Sequence, residues 1–325
     1  MKALLYRKYG QPEDVLEFTE TDRPVPGEKE ILVRVAATSV NRTDSATIRA
    51  IPFFMRIVTG LFVPKKQIPG TEFSGTVEET GKGVSLFKKG DKVFGFFDMG
   101  AGAHAEYLAV LENLAVPLPK GMKLEMAAAM SEGFHYGFNF VNKVNLSPGK
   151  RILVNGASGA IGSAVVQILK YFGADVTAVC GTKNIELVKS IGADRVIDYE
   201  KENFTQMDEK FDCVFDAVGK SSFFKCFRLL APGGIYISSD LGYMAQNTYF
   251  PILTSLFKFL TGGRKSVFPL PGEIRDSLLL AAKMAEEGKY KPVIDDRKYA
   301  FGQIIEAYRY VQTGVKTGNV IIDMK

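Results

Sequence analysis

A glycine-rich turn between an apolar strand and an amphipathic helix most constrains the fold of this 325-residue chain. The turn runs from Asn155 to Gly162 and follows the apolar run 152–154. Apolar residues then recur at three- and four-residue steps from Ile161 to Phe172, the spacing of one helix face. A strand, a glycine turn and a helix in this order predict the start of a parallel α/β sheet.

The turn predicts a dinucleotide-binding site. Glycines there permit a tight backbone and the close approach of a pyrophosphate, and the amides at the helix N-terminus face the anion. Glycines at this spacing also serve ordinary turns, which is the alternative interpretation. The predicted cofactor contacts are Gly156, Ser158, Gly159, Ala160, Ile161 and Gly162 from the turn, with Val218 and Gly219 further along the chain.

Alternating strand and helix patterns continue beyond the turn and predict a doubly wound parallel Rossmann sheet. Its predicted strands are 152–154, 176–179, 196–197, 213–215, 235–237 and 266–270. The predicted helices are 161–172, 185–191, 223–230 and 274–286, followed by a helix at 304–310 and a strand at 320–322. Residues 1 to 115 are instead β-rich, with β-branched runs separated by proline and glycine turns.

Composition predicts a folded, two-domain protein. Apolar residues make up 46% of the chain and charged residues 24%, which excludes disordered, collagen-like and coiled-coil classes. The net charge is +5 and the pI about 8.9, without a dense basic block, so an anionic small ligand fits as well as a nucleic acid. The three cysteines are Cys180, Cys213 and Cys226, and their odd number favours a reducing compartment.

Neither a signal peptide nor a membrane span is expected. Charge interrupts the first apolar run too early for a secretory signal. The most apolar stretch, 249–260, contains Pro251 and Lys258 and is shorter than the ~20 residues needed to span a bilayer. We therefore expect a cytoplasmic protein without stable membrane insertion.

The end of the second Rossmann strand predicts a preference for NADPH. An NAD site usually offers Asp or Glu there, about 20 residues after the glycines. This strand ends in Cys180 and is followed by Thr182 and Lys183, so a hydroxyl and an ammonium group are available for a 2′-phosphate. Tyr199, after the third strand, is a further candidate donor. Alternatively, Lys183 is a solvated lysine at a helix start.

Several segments together resemble the medium-chain dehydrogenase/reductase superfamily, specifically its zinc-free quinone oxidoreductase branch related to zeta-crystallin. They are spread over nearly the whole chain: Ser-Val-Asn-Arg-Thr-Asp at 39–44, Pro-Gly-Thr-Glu-Phe-Ser-Gly at 69–75, Phe-Lys-Lys-Gly-Asp-Lys-Val at 87–93, the glycine turn, Gly-Ala-Asp with Val-Ile-Asp-Tyr at 192–199, and Gly-Asn-Val at 318–320. The resemblance implies a homodimer. It also implies a GroES-like, β-rich catalytic domain of residues 1–115 and 288–325 around a Rossmann domain of residues 116–287.

The resemblance also bears on metal binding. Zinc-containing alcohol dehydrogenases of the superfamily place Cys, His and Cys at the catalytic zinc, and the matching positions here are Asn41, Thr71 and Glu132. An amide, a hydroxyl and one carboxylate are a poor ligand set for zinc. The structural zinc of those enzymes needs four closely spaced cysteines, and this chain has three. We expect no metal.

Without a Lewis acid, simple alcohol oxidation lacks its usual electrostatic support. The resemblance therefore implies NADPH-dependent hydride transfer to a quinone or to an α,β-unsaturated ketone or aldehyde. Two alternatives remain open: a zinc-free alcohol dehydrogenase or carbonyl reductase, and a non-enzymatic nucleotide- or RNA-binding relative. No segment resembles an RNA-recognition module, so no nucleic-acid partner is expected.

Asn41, Asp44 and Glu132 are the candidate catalytic residues. The Asn41 amide is placed to donate to developing negative charge and to lie near the nicotinamide, or else it stabilises a turn. Asp44 alternatively caps a helix, and Glu132 is a proton source if buried or an ordinary surface glutamate if not. Asn319 stands where related proteins often carry lysine near the cofactor and is a further candidate contact.

Two apolar stretches are predicted to shape the substrate pocket. One comprises 51–55 with 61–62, and the other is 241–265, which includes Tyr243. The second stretch forms a lid, a dimer surface or a membrane-interface patch. The two histidines, His104 and His135, are expected to be structural.

Overall fold

The computed structural model describes residues 1–98, 102–242, 245–270 and 272–325, so Tyr243 lies outside the described residues. The chain divides into two compact units. Unit 1 comprises Met1–Glu132, Glu273–Glu287 and Ile294–Lys325, and unit 2 comprises Gly133–Gly272 and Gly288–Val293. This division into compact units does not test the predicted domain boundaries, so those at 115/116 and 287/288 remain a prediction.

The strands and helices follow one another in chain order. Up to residue 132 they are β1 (Lys2–Tyr6), α1 (Pro12–Val15), β2 (Leu16–Glu20), β3 (Glu30–Val40), α2 (Arg42–Arg49), α3 (Arg56–Thr59), β4 (Glu72–Thr80), β5 (Lys92–Phe96), β6 (Tyr107–Leu111), β7 (Ala115–Pro117) and α4 (Leu124–Ala127). The next elements are α5 (Glu132–Val141), β8 (Arg151–Asn155), α6 (Ala160–Tyr171), β9 (Asp175–Cys180), α7 (Ile185–Ser190), β10 (Arg195–Asp198), β11 (Phe211–Asp216), α8 (Phe223–Cys226), β12 (Leu230–Ser238), α9 (Gln246–Leu256) and β13 (Lys265–Val267). The last are α10 (Ile274–Glu286), β14 (Tyr299–Ala300), α11 (Ile304–Gln312) and β15 (Val320–Asp323).

Unit 1 is built around β3, which pairs antiparallel with β15, β4 and β6. The strand order in this sheet is β14-β15-β3-β4-β5-β7, and β1 pairs separately with β2. Ile31, Val33 and Val35 of β3 are buried in one apolar core, while Val40 packs into another beside α11. Such β-branched residues fit the pleated, buried surface of a strand.

The chain leaves β3 directly into α2, and this junction positions the candidate catalytic residues. Asn41 is the N-cap residue of α2, and its backbone N–H donates to the carboxylate of Asp44 at 2.8 Å. That bond satisfies an amide that the helix itself leaves without a partner. The junction therefore presents polar side chains at the end of a buried strand.

Unit 2 contains a parallel sheet with the strand order β10-β9-β8-β11-β12-β13. Taken in chain order, this is the 3-2-1-4-5-6 arrangement of a Rossmann fold. The order reverses between β8 and β11, which is where ligands bind in folds of this type. The predicted combination of a β-rich part with a doubly wound parallel sheet is confirmed.

Helices α5 and α9 were not predicted, and two predicted elements end several residues earlier in the structure. The predicted helix 223–230 ends as an α-helix at Cys226, and β12 already begins at Leu230, which pairs with Phe211 before a register shift in the ladder. The last strand ends at Val267 and not at residue 270, because Pro269 has no N–H to donate to a ladder. Among the described residues, no helix is both long and apolar enough to cross a membrane.

Candidate functional site

The glycine turn of unit 2 lies between β8 and α6, and the packing around it requires glycine at two of its positions. Gly156 has a φ of +82°, a conformation that residues with side chains rarely adopt. A Cβ atom at Gly156 would lie 1.8 Å from Cγ2 of Val218, and one at Gly162 would lie 2.1 Å from the Gly156 carbonyl oxygen. At Gly159 the nearest atom would be 3.5 Å away. The contact of the turn with a cofactor stays a prediction.

A buried carboxylate fixes the loop beside this turn. Asp216, at the end of β11, is fully buried and accepts hydrogen bonds from Asn155 Nδ2 at 2.9 Å and from the Tyr236 hydroxyl at 3.1 Å. It also accepts the backbone N–H groups of three loop residues, namely Val218, Gly219 and Ser221. Asp216 thus positions the predicted contacts Val218 and Gly219, and it was not among the residues predicted from the sequence.

The predicted 2′-phosphate position is more acidic than the sequence indicated. Thr182, Lys183 and Tyr199 are all exposed. The Thr182 hydroxyl lies 2.6 Å from Asp198 Oδ2 and 3.1 Å from Glu200 Oε2. The second strand has no terminal carboxylate, but the adjacent parallel strand β10 ends at the same sheet edge and brings two. These carboxylates disfavour a phosphate, whereas Lys183 favours one.

Unit 1 contains a group of interacting polar side chains that we call the polar cluster. Its members are Ser39, Asn41, Thr43, Asp44, Thr71, Glu72, Glu132 and Lys316. They come from the end of β3, α2, the start of β4, the start of α5 and the turn before β15. The predicted catalytic residues Asn41, Asp44 and Glu132 are therefore brought together, although they lie up to 91 residues apart in the sequence.

Asn41 lies at the centre of the polar cluster and is 3% exposed. Its Nδ2 donates to Glu72 Oε1 at 2.9 Å and to Ser39 Oγ at 3.1 Å, and it lies 3.4 Å from Glu132 Oε2. Its Oδ1 accepts a hydrogen bond from Lys316 Nζ at 3.3 Å. The carboxamide thus links a cation to two acidic side chains, and both of its amide hydrogens have partners within the cluster.

Glu132 is buried, so the alternative of an ordinary surface glutamate is wrong. Its Oε1 accepts the Thr43 hydroxyl at 2.6 Å, and its Oε2 accepts the Thr71 hydroxyl at 3.0 Å. Its backbone N–H donates to Glu72 Oε2 at 2.8 Å. Asp44 is also buried, and its carboxylate accepts a hydrogen bond from the Asn41 backbone N–H. It therefore caps α2, which was the alternative interpretation of this residue.

Within the cluster, the pKa values of acidic side chains are raised and that of the lysine is lowered, and both changes favour the neutral forms. Burial and the nearby Glu132 carboxylate raise the pKa of Glu72 to about 8. Burial also raises the pKa of Glu132 and, together with Glu132, that of Asp44. Burial lowers the pKa of Lys316 to about 8, and Glu132 and Glu72 oppose that change. At neutral pH the cluster thus retains protons that exposed carboxylates would have lost.

Asn319 and the two histidines are held by protein atoms. Asn319 is 1% exposed, and its Nδ2 donates to the Ala129 carbonyl at 3.4 Å. His104 donates from Nε2 to the Ser39 carbonyl at 2.8 Å, so its Nδ1 accepts from the Tyr308 hydroxyl. Burial lowers the pKa of His104 to about 4, which keeps the ring neutral. His135 lies 3.1 Å from Asn139 Nδ2. The role of Asn319 towards a cofactor stays a prediction.

Comparison with known proteins identifies the family. The "Alcohol dehydrogenase GroES-like domain" model matches residues 27–120, and the "Zinc-binding dehydrogenase" model matches residues 191–322. The chain is 34% identical to the 2-methylene-furan-3-one reductase of Solanum lycopersicum, over 99% of this chain and 79% of that protein. The chain belongs to the medium-chain dehydrogenase/reductase superfamily.

Two further relatives in this superfamily come from Arabidopsis thaliana, and each is 32% identical over 99% of this chain. One is the chloroplastic NADPH-dependent alkenal/one oxidoreductase, of which 79% is covered. The other is the chloroplast envelope quinone oxidoreductase homolog, of which 98% is covered. Since the relatives across this length are oxidoreductases, this member of the medium-chain superfamily is an oxidoreductase as well.

In this medium-chain dehydrogenase/reductase, the positions that match the catalytic zinc ligands of zinc-containing members carry Asn41, Thr71 and Glu132, and these residues do not fit a zinc ion. Asn41 and Thr71 supply an amide and a hydroxyl in place of Cys and His, and the Asn41 oxygen already accepts from the Lys316 ammonium group. A divalent cation there would be repelled by that ammonium group. Within the described parts of the chain, no group of three or more His, Cys, Asp or Glu side chains is placed to hold a metal ion.

Glu72 and Lys316 belong to the polar cluster but were not predicted from the sequence. Glu72 lies inside a motif that carried the family resemblance, and a carboxylate that begins an apolar strand was an available signal. For Lys316 there was none, because a lysine in a glycine-flanked turn is usually solvated. Only the path of the chain from α11 to β15 reveals that its head group reaches Asn41.

Proposed function

We propose that this protein is an NADPH-dependent reductase that transfers hydride, without zinc, to a quinone or to the carbon–carbon double bond of an α,β-unsaturated ketone or aldehyde. NADPH supplies the hydride when it is bound. Relatives named as an alkenal/one oxidoreductase, a quinone oxidoreductase homolog and a 2-methylene-furan-3-one reductase support this acceptor class.

The observation that carries the proposal is the set of contacts at the former zinc positions. Thr71 and Asn41 are directed to Glu132 and Glu72, so these side chains hold one another. Reduction of an activated double bond needs no Lewis acid as strong as zinc, because the carbonyl group conjugated to it already accepts the electrons. It does consume a proton, and the carboxyl group of Glu72 retains one at neutral pH.

For the cofactor, we propose that the glycine turn binds the pyrophosphate and that Lys183 and Tyr199 bind the 2′-phosphate. The steric need for glycine at positions 156 and 162 supports a close backbone approach at this turn. The exposed Lys183 supplies the positive charge, while Glu200 beside Thr182 opposes it. We therefore expect NADPH to bind more tightly than NADH, by a modest factor.

The test is a panel of acceptors for the purified protein, with loss of NADPH absorbance as the readout. We expect turnover with 3-buten-2-one and with 1,4-benzoquinone, and little with the saturated ketone 2-butanone. Turnover with 2-butanone, or with 2-butanol and NADP⁺, at rates equal to those for 3-buten-2-one would favour a zinc-free alcohol dehydrogenase or carbonyl reductase. No turnover with any acceptor would contradict the proposal.

A homodimer in the cytoplasm completes the proposal. The family resemblance supports the dimer, and light scattering on the purified protein measures it. Two relatives are named as chloroplast proteins, so the location needs its own measurement by cell fractionation.

A further inference from the structure

Lys316 is a lysine whose head group is turned into the protein. Its Nζ donates to Asn41 Oδ1 at 3.3 Å and to the Gly318 carbonyl oxygen. Burial is the main cause that lowers its pKa and Arg42 lowers it further, whereas the acidic groups Glu132, Glu72 and Asp295 favour its charged form. A desolvated ammonium group is costly unless such partners surround it.

The turn that carries Lys316 is fixed by Asp295. The Asp295 carboxylate accepts the Thr317 backbone N–H at 2.8 Å and the Tyr310 hydroxyl at 2.9 Å. Its backbone N–H donates to the Asn319 carbonyl at 2.8 Å. The turn that carries the ammonium group is therefore held in place by hydrogen bonds within unit 1.

The Asn41 carboxamide has one favourable orientation between these groups. Its oxygen faces the ammonium of Lys316, and its NH₂ group faces Glu72 and Ser39. A flipped amide would direct its NH₂ group at a cation and its oxygen at a carboxyl oxygen, and both contacts would be unfavourable. Lys316 consequently determines which way Asn41 points.

We propose that Lys316 supplies at the polar cluster the positive charge that a metal ion supplies in zinc-containing members of the superfamily, and that it acts as a positioning residue by fixing Asn41 and balancing the negative charge of the cluster. This inference rests on the proposed function for its kinetic consequence. The charge balance itself is a property of the folded chain and is tested without turnover.

The first experiment is a double-mutant cycle on the free energy of unfolding, measured by urea denaturation. Lys316→Met leaves the buried negative charge of the cluster without its cation, so it destabilises the protein. In the Lys316→Met background, Glu132→Gln should cost less than it does in the wild type, because the uncompensated charge is then gone. The exposed Lys298→Met is the matched control and should leave stability unchanged. Additive effects of the two substitutions would overturn the inference.

The second experiment measures kcat and KM with NADPH and 3-buten-2-one. We expect Lys316→Met to lower kcat by on the order of tenfold to a hundredfold, with KM changed by less than about twofold, as for a mispositioned group. Lys316→Arg should restore most of kcat because it restores the charge, and Lys298→Met should match the wild type. A kcat of folded Lys316→Met within about twofold of the wild type would overturn the inference.

The two experiments separate the failure of this inference from that of the proposed function. If the wild-type protein reduces none of the acceptors, the proposed function fails, and the stability cycle still decides whether Lys316 balances the cluster. If the wild type is active and the cycle is additive, the proposed function stands and the role of Lys316 is rejected.

Discussion

The glycine turn of unit 2 and the polar cluster of unit 1 are built in opposite ways. The turn is a stretch of eight consecutive residues, 155–162, and is defined by its backbone conformation. At two of its glycines, an added Cβ atom would lie within 2.5 Å of another atom. The cluster is made of side chains drawn from positions between Ser39 and Lys316. Backbone-built sites are local in sequence, whereas side-chain networks depend on the completed fold.

Among the substitutions that test this difference, those at Asp216 should have the largest effect, because this one side chain holds the loop beside the glycine turn. Asp216→Ala would leave three loop N–H groups, Asn155 Nδ2 and the Tyr236 hydroxyl without their acceptor. Each buried polar group left without a partner costs about 1–3 kcal/mol, so we expect a loss of about 4 kcal/mol or more in the free energy of unfolding. Urea denaturation checks this.

Asp216→Asn is the matched control for that substitution. It keeps the shape and one acceptor oxygen, so it should cost clearly less than Asp216→Ala. Equal costs for the two variants would show that the hydrogen bonds of Asp216 contribute little.

The polar cluster, by contrast, should make stability depend on pH. The folded pKa of Glu72 is raised to about 8 from 4.5, so its contribution is present below pH 4.5 and is lost as the pH rises through 8. Lys316, lowered to about 8 from 10.5, acts in the opposite sense only above pH 8. Burial lowers the pKa of His104 to about 4 from 6.5, and this raises stability with pH up to about 6.5, so it opposes Glu72 there. Between pH 6.5 and pH 8 we expect the free energy of unfolding to fall, by on the order of 1 kcal/mol per pH unit.

Glu72→Gln isolates this effect because it removes the titrating group and keeps a carbonyl oxygen to accept from Ser39 and Asn41. Its unfolding free energy should vary less between pH 6.5 and pH 8 than that of the wild type. A wild-type protein whose stability rises over this range would contradict the assignment.

Within the glycine turn, two positions of one motif should respond differently. Gly162→Ala places a Cβ 2.1 Å from the Gly156 carbonyl and should cost about 1–3 kcal/mol. Gly159→Ala meets its nearest atom at 3.5 Å and should be tolerated. Thermal unfolding and NADPH titration of both variants measure the difference. Equal behaviour would mean that the turn adjusts and that its glycines are not fixed by packing.

The smallest expected effect lies at the edge of the Rossmann sheet, where side chains from two strands compete. Lys183→Ala should weaken NADPH binding by about tenfold, roughly 1.4 kcal/mol, and leave NADH binding unchanged, since only NADPH carries the 2′-phosphate. Glu200→Gln should strengthen NADPH binding because it removes a negative charge near Thr182. Calorimetry with both cofactors decides, and equal loss of NADH affinity in Lys183→Ala would reject the phosphate assignment.

The difference between the local glycine turn and the dispersed polar cluster explains which parts of the fold and the site could be predicted from the sequence. The Rossmann sheet follows from local periodicity and a glycine turn, and each of its six predicted strands is present in the structure, whereas α5 and α9 were not predicted. Asn41 and Glu132 were found because family motifs align them with zinc ligands. Glu200 was not, because its approach to Thr182 depends on the pairing of β9 with β10. Lys316 was missed for the same reason, since only the folded turn before β15 brings it to Asn41.

The most direct test of the account is NADPH oxidation with 3-buten-2-one by protein purified and assayed in the presence of a chelator, with metal content measured on the same sample. We expect full activity without bound zinc and no gain when zinc is added, because Asn41 and Thr71 both contact Glu132, and the Asn41 oxygen accepts from Lys316. Activity that disappears with the chelator and returns with zinc would contradict it.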